Sequence, residues 1–212
     1  MASRSGRRIR GGYGGRTYSA KNAVPLLSGH YEHSALIPAS PDSVFDYVDD
    51  QKRLSSHMSR PSWGMAGARM EIQLDYDRGR RVGSHIRLKG RVLGIPLSVD
   101  EMVTQRNPPR RKIWETTDSP KLLVIGHYRM GFEITPSERG STLRVFIDYA
   151  LPEKPPARWL GYLLGRRYAA WCTNQMVEDA LNHFAPATLE SSHAIESVSH
   201  GASSTIHEVN SE

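Results

Sequence analysis

Hydrophobic and polar positions alternate along this chain with two different periods. In "HYEHSALIPAS", Tyr31, His33, Ala35 and Ile37 share one parity, which predicts a half-buried strand. Ser40 then offers an N-cap and Pro41 a first helical position. Val44, Phe45, Tyr47, Val48 and Leu54 follow at helical spacing in "PDSVFDYVDDQKRLSSHM", and "RPSWGMAGA" breaks that pattern. From Met70 the period returns to two. Met70, Ile72, Leu74 and Tyr76 take one face, and Val82, Ile86 and Leu88 repeat the motif. Further strands are expected near 95–105, 112–117, 121–135 and 141–151, with "SERG" as a hairpin turn. Val124, Tyr128, Met130, Phe132 and Ile134 take one face of the third, and Leu143, Val145, Ile147 and Tyr149 one face of the fourth.

The period changes once more after Pro156. Leu160, Leu163, Arg167, Ala170, Asn174, Val177, Leu181 and Phe184 recur in steps of three and four. They predict one amphipathic helix of roughly 27 residues, about 40 Å long. The basic run "RNPPRRK" lies between two strands, and Pro108-Pro109 pre-sets a turn that cannot donate to a ladder. Arg110, Arg111 and Lys112 are then expected at the exit of a hairpin turn, where charge costs little.

Strand, helical segment, a meander of about six antiparallel strands and a long closing helix: this order resembles the START and polyketide cyclase/dehydrase (SRPBCC) superfamily. "HYEHSALIPASPDSVFDYVDD" is similar to that family's opening, and "EMVTQRNPPRRKIWE" resembles its Pro-Pro hairpin. The resemblance implies an α+β helix-grip fold: a curved antiparallel sheet of about six to seven strands wrapped around a long C-terminal helix. It also implies a mostly apolar cavity between the two, of about 300–1,000 Å³ if it is of ordinary size. The superfamily includes cyclases, lipid carriers and hormone receptors, so fold alone does not choose a function.

Composition sharpens the boundaries. Hydrophobic residues are 38% of the 212, low enough that part of the chain is expected to be solvated. Residues 1–29 carry Arg4, Arg7, Arg8, Arg10, Arg16 and Lys21 with no acid, and 186–212 carry four Glu with no Lys or Arg. Of the net charge of +6, only +4 therefore belongs to the middle. Both ends lack an apolar period, so the expected organisation is a basic Gly/Arg-rich tail (1–29), a START-like domain (30–185) and a Ser-rich acidic tail (186–212). The arginines of the first tail suggest weak, salt-dependent contact with an anionic surface or nucleic acid. A transit peptide fits the same composition, although the glycines oppose an amphipathic helix. The single cysteine, Cys172, excludes an internal disulfide framework. No apolar run reaches a membrane span and no secretory h-region is present, so a cytoplasmic protein is expected.

Candidate chemistry comes from polar residues whose parity points inward. Glu101 continues the face of Leu97, Val99 and Val103, where burial would raise its pKa; a one-residue offset would instead turn in Asp100 and Met102. Tyr128 shares the inward parity of its strand, either as core or as a ligand contact. Arg167 and Asn174 interrupt the apolar seam of the last helix, and Trp171 stands beside Asn174. Arg167 can equally snorkel from the edge of the stripe, Asn174 can be a satisfied buried amide, and Trp171 can be core. No spacing suggests a metal site, a nucleophile elbow or a phosphate loop, and no cofactor is implied. The expected function is binding of an apolar small molecule (lipid, polyketide or isoprenoid), because no residue has a catalytic context that packing fails to explain; the alternative is a cyclase/dehydrase-type reaction using Glu101, Tyr128 or Arg167. A cavity holding both Glu101 and Arg167 would favour the reaction.

Overall fold

The computed structural model describes residues 26–59, 69–92, 94–118 and 120–185. The arginines of the N-terminal stretch, the acidic stretch 186–212 and all of "RPSWGMAGA" lie outside them. Strands β1 (Gly29–Ile37), β2 (Arg69–Leu74), β3 (His85–Val92), β4 (Ile95–Asn107), β5 (Arg111–Thr116), β6 (Tyr128–Ser137) and β7 (Gly140–Tyr149) form one antiparallel sheet, ordered β1-β7-β6-β5-β4-β3-β2. Helix α4 (Ala157–Phe184) lies chiefly over β1 and β7. At 28 residues it is about 42 Å long. This curved sheet gripping a long C-terminal helix is the helix-grip fold.

Strand parity follows the sequence pattern. Ile37, Ile86, Leu88, Val99, Val103, Trp114, Phe132, Ile134, Leu143 and Val145 form the buried core facing the helices. Register is firm because a one-residue slip would turn these side chains to solvent. Phe132 anchors the centre, its ring 5.6 Å from Phe45 and 6.4 Å from Trp114, both edge-on.

Four expectations are corrected. The first helical segment is three short helices, α1 (Pro41–Val48), α2 (Gln51–Leu54) and α3 (Ser56–Ser59). The break falls at Asp50, which is extended and caps α2 by accepting a hydrogen bond from the Lys52 amide at 3.0 Å. Ser40 caps α1 as its position suggests. Tyr76 and Val82 belong to a turn rather than to strand faces, and are 99% and 62% exposed. Arg78, Gly79 and Gly83 in that turn take φ of 55°, 73° and 89°, outside the extended region that a regular strand occupies. The stretch 121–127 is irregular: a single bridge ties Lys121 to Ser98 before β6 begins at Tyr128.

The fourth correction concerns α4. Its buried face is Gly161, Gly165, Ala169, Cys172, Thr173, Met176, Val177 and Ala180. Leu160 and Leu163 are turned outward, the latter 74% exposed. A Cβ on Gly161 would lie 2.8 Å from Pro152 Cδ and 2.9 Å from the Val124 carbonyl oxygen, so the helix rests here on backbone. Small residues allow that approach and the larger ones are left outside.

Candidate functional site

Between the sheet and α4 lies a small cavity of about 30 Å³. That is space for one or two waters, roughly tenfold below the volume expected of a ligand pocket. The reason is bulk: Trp114, Leu122, Ile125 and four methionines (Met58, Met70, Met130 and Met176) converge on it. Methionine is unbranched and has three rotatable bonds, so walls of this kind re-pack around a guest at low cost.

One carboxyl group faces that apolar space. β4 places Leu97, Val99, Glu101 and Val103 on the inward face, and Glu101 is 4% exposed. The Tyr128 hydroxyl on β6 donates a short hydrogen bond to Glu101 Oε1. Glu101 Oε2 is buried and has no hydrogen-bond partner among the described residues. Burial pushes the Glu101 carboxyl up to about 7, against the Tyr128 hydrogen bond, the nearby Lys112 charge and the neighbouring Trp114 indole N–H, which favour ionisation. Burial first, and then the Glu101 charge, holds the Tyr128 phenol well above its ordinary range. Across the cavity, Tyr168 and Cys172 sit one turn apart on α4, and burial raises the thiol to about 12.

The other anticipated residues are placed differently. Arg167 is exposed and contributes nothing to the cavity wall. Trp171 is half-buried, packed on the core edge with its ring 6.0 Å from Tyr168. Asn174 is half-buried too, and its Oδ1 is shielded without a hydrogen-bond partner among the described residues. Neither lines the cavity. Glu101 and Tyr128 are thus brought together, while Arg167, Trp171 and Asn174 stand apart from them.

Sequence reasoning missed Lys112, which is fully buried rather than at an exposed turn exit. Its ammonium lies 3.0 Å from Asp49 Oδ1, and donates to the Asp49 carbonyl at 3.1 Å and to Gln51 Oε1 at 3.5 Å. Arg106 closes the outer side of Asp49 with hydrogen bonds of 2.8–3.3 Å. Burial lowers the Lys112 pKa, with Asp49 opposing that shift. The signal was parity: Lys112 is two residues before Trp114 and so shares its inward face. Gln51, which lines the cavity, connects this cluster to it. Among the described residues no three His, Cys, Asp or Glu side chains gather to hold a metal ion, and no helix is long and apolar enough to cross a membrane.

A search of curated proteins gives no significant match. Solved structures with this fold include TTHA0849 of Thermus thermophilus, at 13% identity and TM-score 0.54, covering 76% of this chain and 100% of that one. The Zhui aromatase/cyclase of Streptomyces sp. R1128 is 15% identical with TM-score 0.52, over 76% and 98% of the two chains. The di-domain aromatase/cyclase BexL of the BE-7585A biosynthetic pathway is 15% identical with TM-score 0.53, over 76% of this chain and 51% of its own. At these identities the likeness is one of fold. A family model described as polyketide cyclase / dehydrase and lipid transport matches residues 28–185, three quarters of the sequence, and the chain therefore belongs to that family.

Proposed function

We propose that this domain binds a small, mostly apolar molecule of the lipid, polyketide or isoprenoid class between sheet and α4, held by one polar group at Glu101. The observation that carries this is the unpartnered Glu101 Oε2 in an apolar space, with Oε1 already taken by Tyr128. A buried carboxyl oxygen without a partner is unfavourable by roughly 1–3 kcal/mol. A ligand hydroxyl would satisfy it when ionised, and a ligand carbonyl would accept its proton when neutral. The four methionines supply the room by rotating aside, so affinity depends on how little that re-packing costs.

A second reading has its own support. A carboxyl group lifted to about 7 is matched to proton transfer at neutral pH, so Glu101 could serve as general acid or base on a bound polyketide. Arg167 faces solvent and cannot steady an enolate there. The cavity lining therefore offers one carboxyl group and no Lys or Arg to steady developing charge, which favours binding over conversion.

Native mass spectrometry of the freshly purified protein, followed by solvent extraction, tests both. A stoichiometric apolar passenger that Glu101→Leu no longer retains supports the binding reading. A passenger retained equally by that variant removes Glu101 as its anchor. A chemically altered product released after incubation with an aromatic polyketide precursor would establish the reaction instead.

A further inference from the structure

The first three turns of α4 have their apolarity inverted. Gly161 and Gly165 face the protein, while Trp159, Tyr162 and Leu163 stand 72%, 63% and 74% exposed. Leu160 and Leu164 flank them, partly exposed. Trp159, Tyr162, Leu163 and Arg166 recur at the i, i+3, i+4, i+7 spacing of a single face. Arg158 and Arg167 border that face on either side, both exposed. From Lys154 to Val177 the sequence carries four cations and no acid, although net charge elsewhere in the domain is nearly balanced. No ion pair engages Arg158, Arg166 or Arg167 among the described residues. An apolar and aromatic stripe bordered by unpaired guanidiniums complements one environment in particular: acyl chains beneath negatively charged headgroups.

We propose that this outer face of α4 docks the protein on an anionic phospholipid surface, Trp159, Tyr162 and Leu163 entering the interface and Arg158, Arg166 and Arg167 meeting phosphates. The helix lies in the plane of the surface and does not cross it. Its inner glycines rest on the Val124 carbonyl, in the 121–127 segment whose Leu122 and Ile125 wall the cavity. Docking therefore brings that wall of the cavity close to the lipid. The inference stands without the ligand reading, because it uses only the outer face of the helix.

The test is co-sedimentation of the full chain with vesicles of phosphatidylcholine alone and with about one third phosphatidylglycerol. Binding is expected only to the anionic vesicles and is expected to weaken with salt. Arg166→Gln/Arg167→Gln should weaken it on the order of 30-fold, at about fivefold or slightly more per charge. Trp159→Ala/Leu163→Ala should weaken it at least tenfold. These side chains are exposed, so thermal unfolding of both variants should match the parent. A third variant replaces Arg4, Arg7, Arg8, Arg10 and Arg16 by Ser. If that change abolishes binding while the α4 variants keep it, the surface is the N-terminal stretch and the proposal falls. It falls equally if the parent ignores anionic vesicles, or if it is a dimer that Leu163→Glu dissociates, since a second copy then covers the face.

Discussion

The Tyr128 hydroxyl donates to Glu101 Oε1 across the width of β5, joining β6 to β4 inside the apolar layer. Both residues are buried, so the bond is shielded from water and worth more than its surface counterpart. Burial outweighs that bond and leaves the carboxyl group with a raised pKa, which makes stability depend on pH in a definable window.

Glu101 titrates near 4.5 in an unfolded chain and at about 7 when folded. The folded state therefore holds the proton more tightly. Its contribution is fully present below pH 4.5 and is lost as pH rises through about 7. The lift corresponds to roughly 3 kcal/mol. Urea unfolding between pH 5 and 8 should show stability falling with pH, and Glu101→Gln should flatten the profile. His30, raised chiefly by Asp148, contributes with the same sign but is half exposed, and the comparison cancels it. A wild-type profile as flat as that of the variant would mean that Glu101 is ionised throughout.

The buried charges at Lys112 offer a second prediction. Lys112→Met removes the inner partner of Asp49 and leaves the Asp49 carbonyl and Gln51 Oε1 without their donor. Loss of one member of a buried pair typically costs 3–5 kcal/mol; because Arg106 still holds Asp49, about 3 kcal/mol is expected. Arg106→Gln, at the rim and 26% exposed, should cost about 1 kcal/mol. Equal losses in denaturant titrations would contradict the burial order of the two cations.

Most of the sheet was legible because side-chain period is a strong constraint on a half-buried strand. The inward set from Tyr128 to Ile134 and that from Leu143 to Tyr149 could be read directly. Parity also made Glu101 and Tyr128 candidates, though it could not choose between Glu101 and its neighbours without the register against β5. The α4 seam was misread for a physical reason. Apart from Arg158 its first turns carry no charge up to Gly165, so periodicity offered two stripes, and the leucines looked like the core. Close approach to the Val124 carbonyl selects the glycines, and nothing local to the helix announces that approach. In "KLLVIG", residues 121–126, apolar content mimicked a strand where Leu122 and Ile125 instead plug the cavity. Lys112 was hidden by the habit of giving charges to turns, although its parity with Trp114 pointed inward.

Cys172 lines the cavity with its thiol raised to about 12 by burial, so little thiolate exists at neutral pH. Native protein should react with a thiol-specific disulfide reagent only through opening of the cavity or global unfolding. Labelling is expected to accelerate with urea in step with exposure, and a bound ligand should slow it. Rapid labelling of the native state would show that the space between α4 and the sheet opens freely.

The glycine face of α4 gives a contest between two effects of opposite sign. Helix propensity alone says that Gly161→Ala should gain about 1 kcal/mol. Sterically, the new methyl would sit 2.8 Å from Pro152 Cδ and 2.9 Å from the Val124 oxygen, closer than packed atoms tolerate. Overpacking of this kind typically costs 1–3 kcal/mol, and backbone on the other side leaves little room to yield. A net loss of up to about 2 kcal/mol is therefore expected from denaturant titration. Leu163→Ala, on the exposed side, should stay within about 0.5 kcal/mol of the parent. The two substitutions discriminate between the seams: a gain at Gly161 with a large loss at Leu163 would mean that the leucines, and not the glycines, face the sheet.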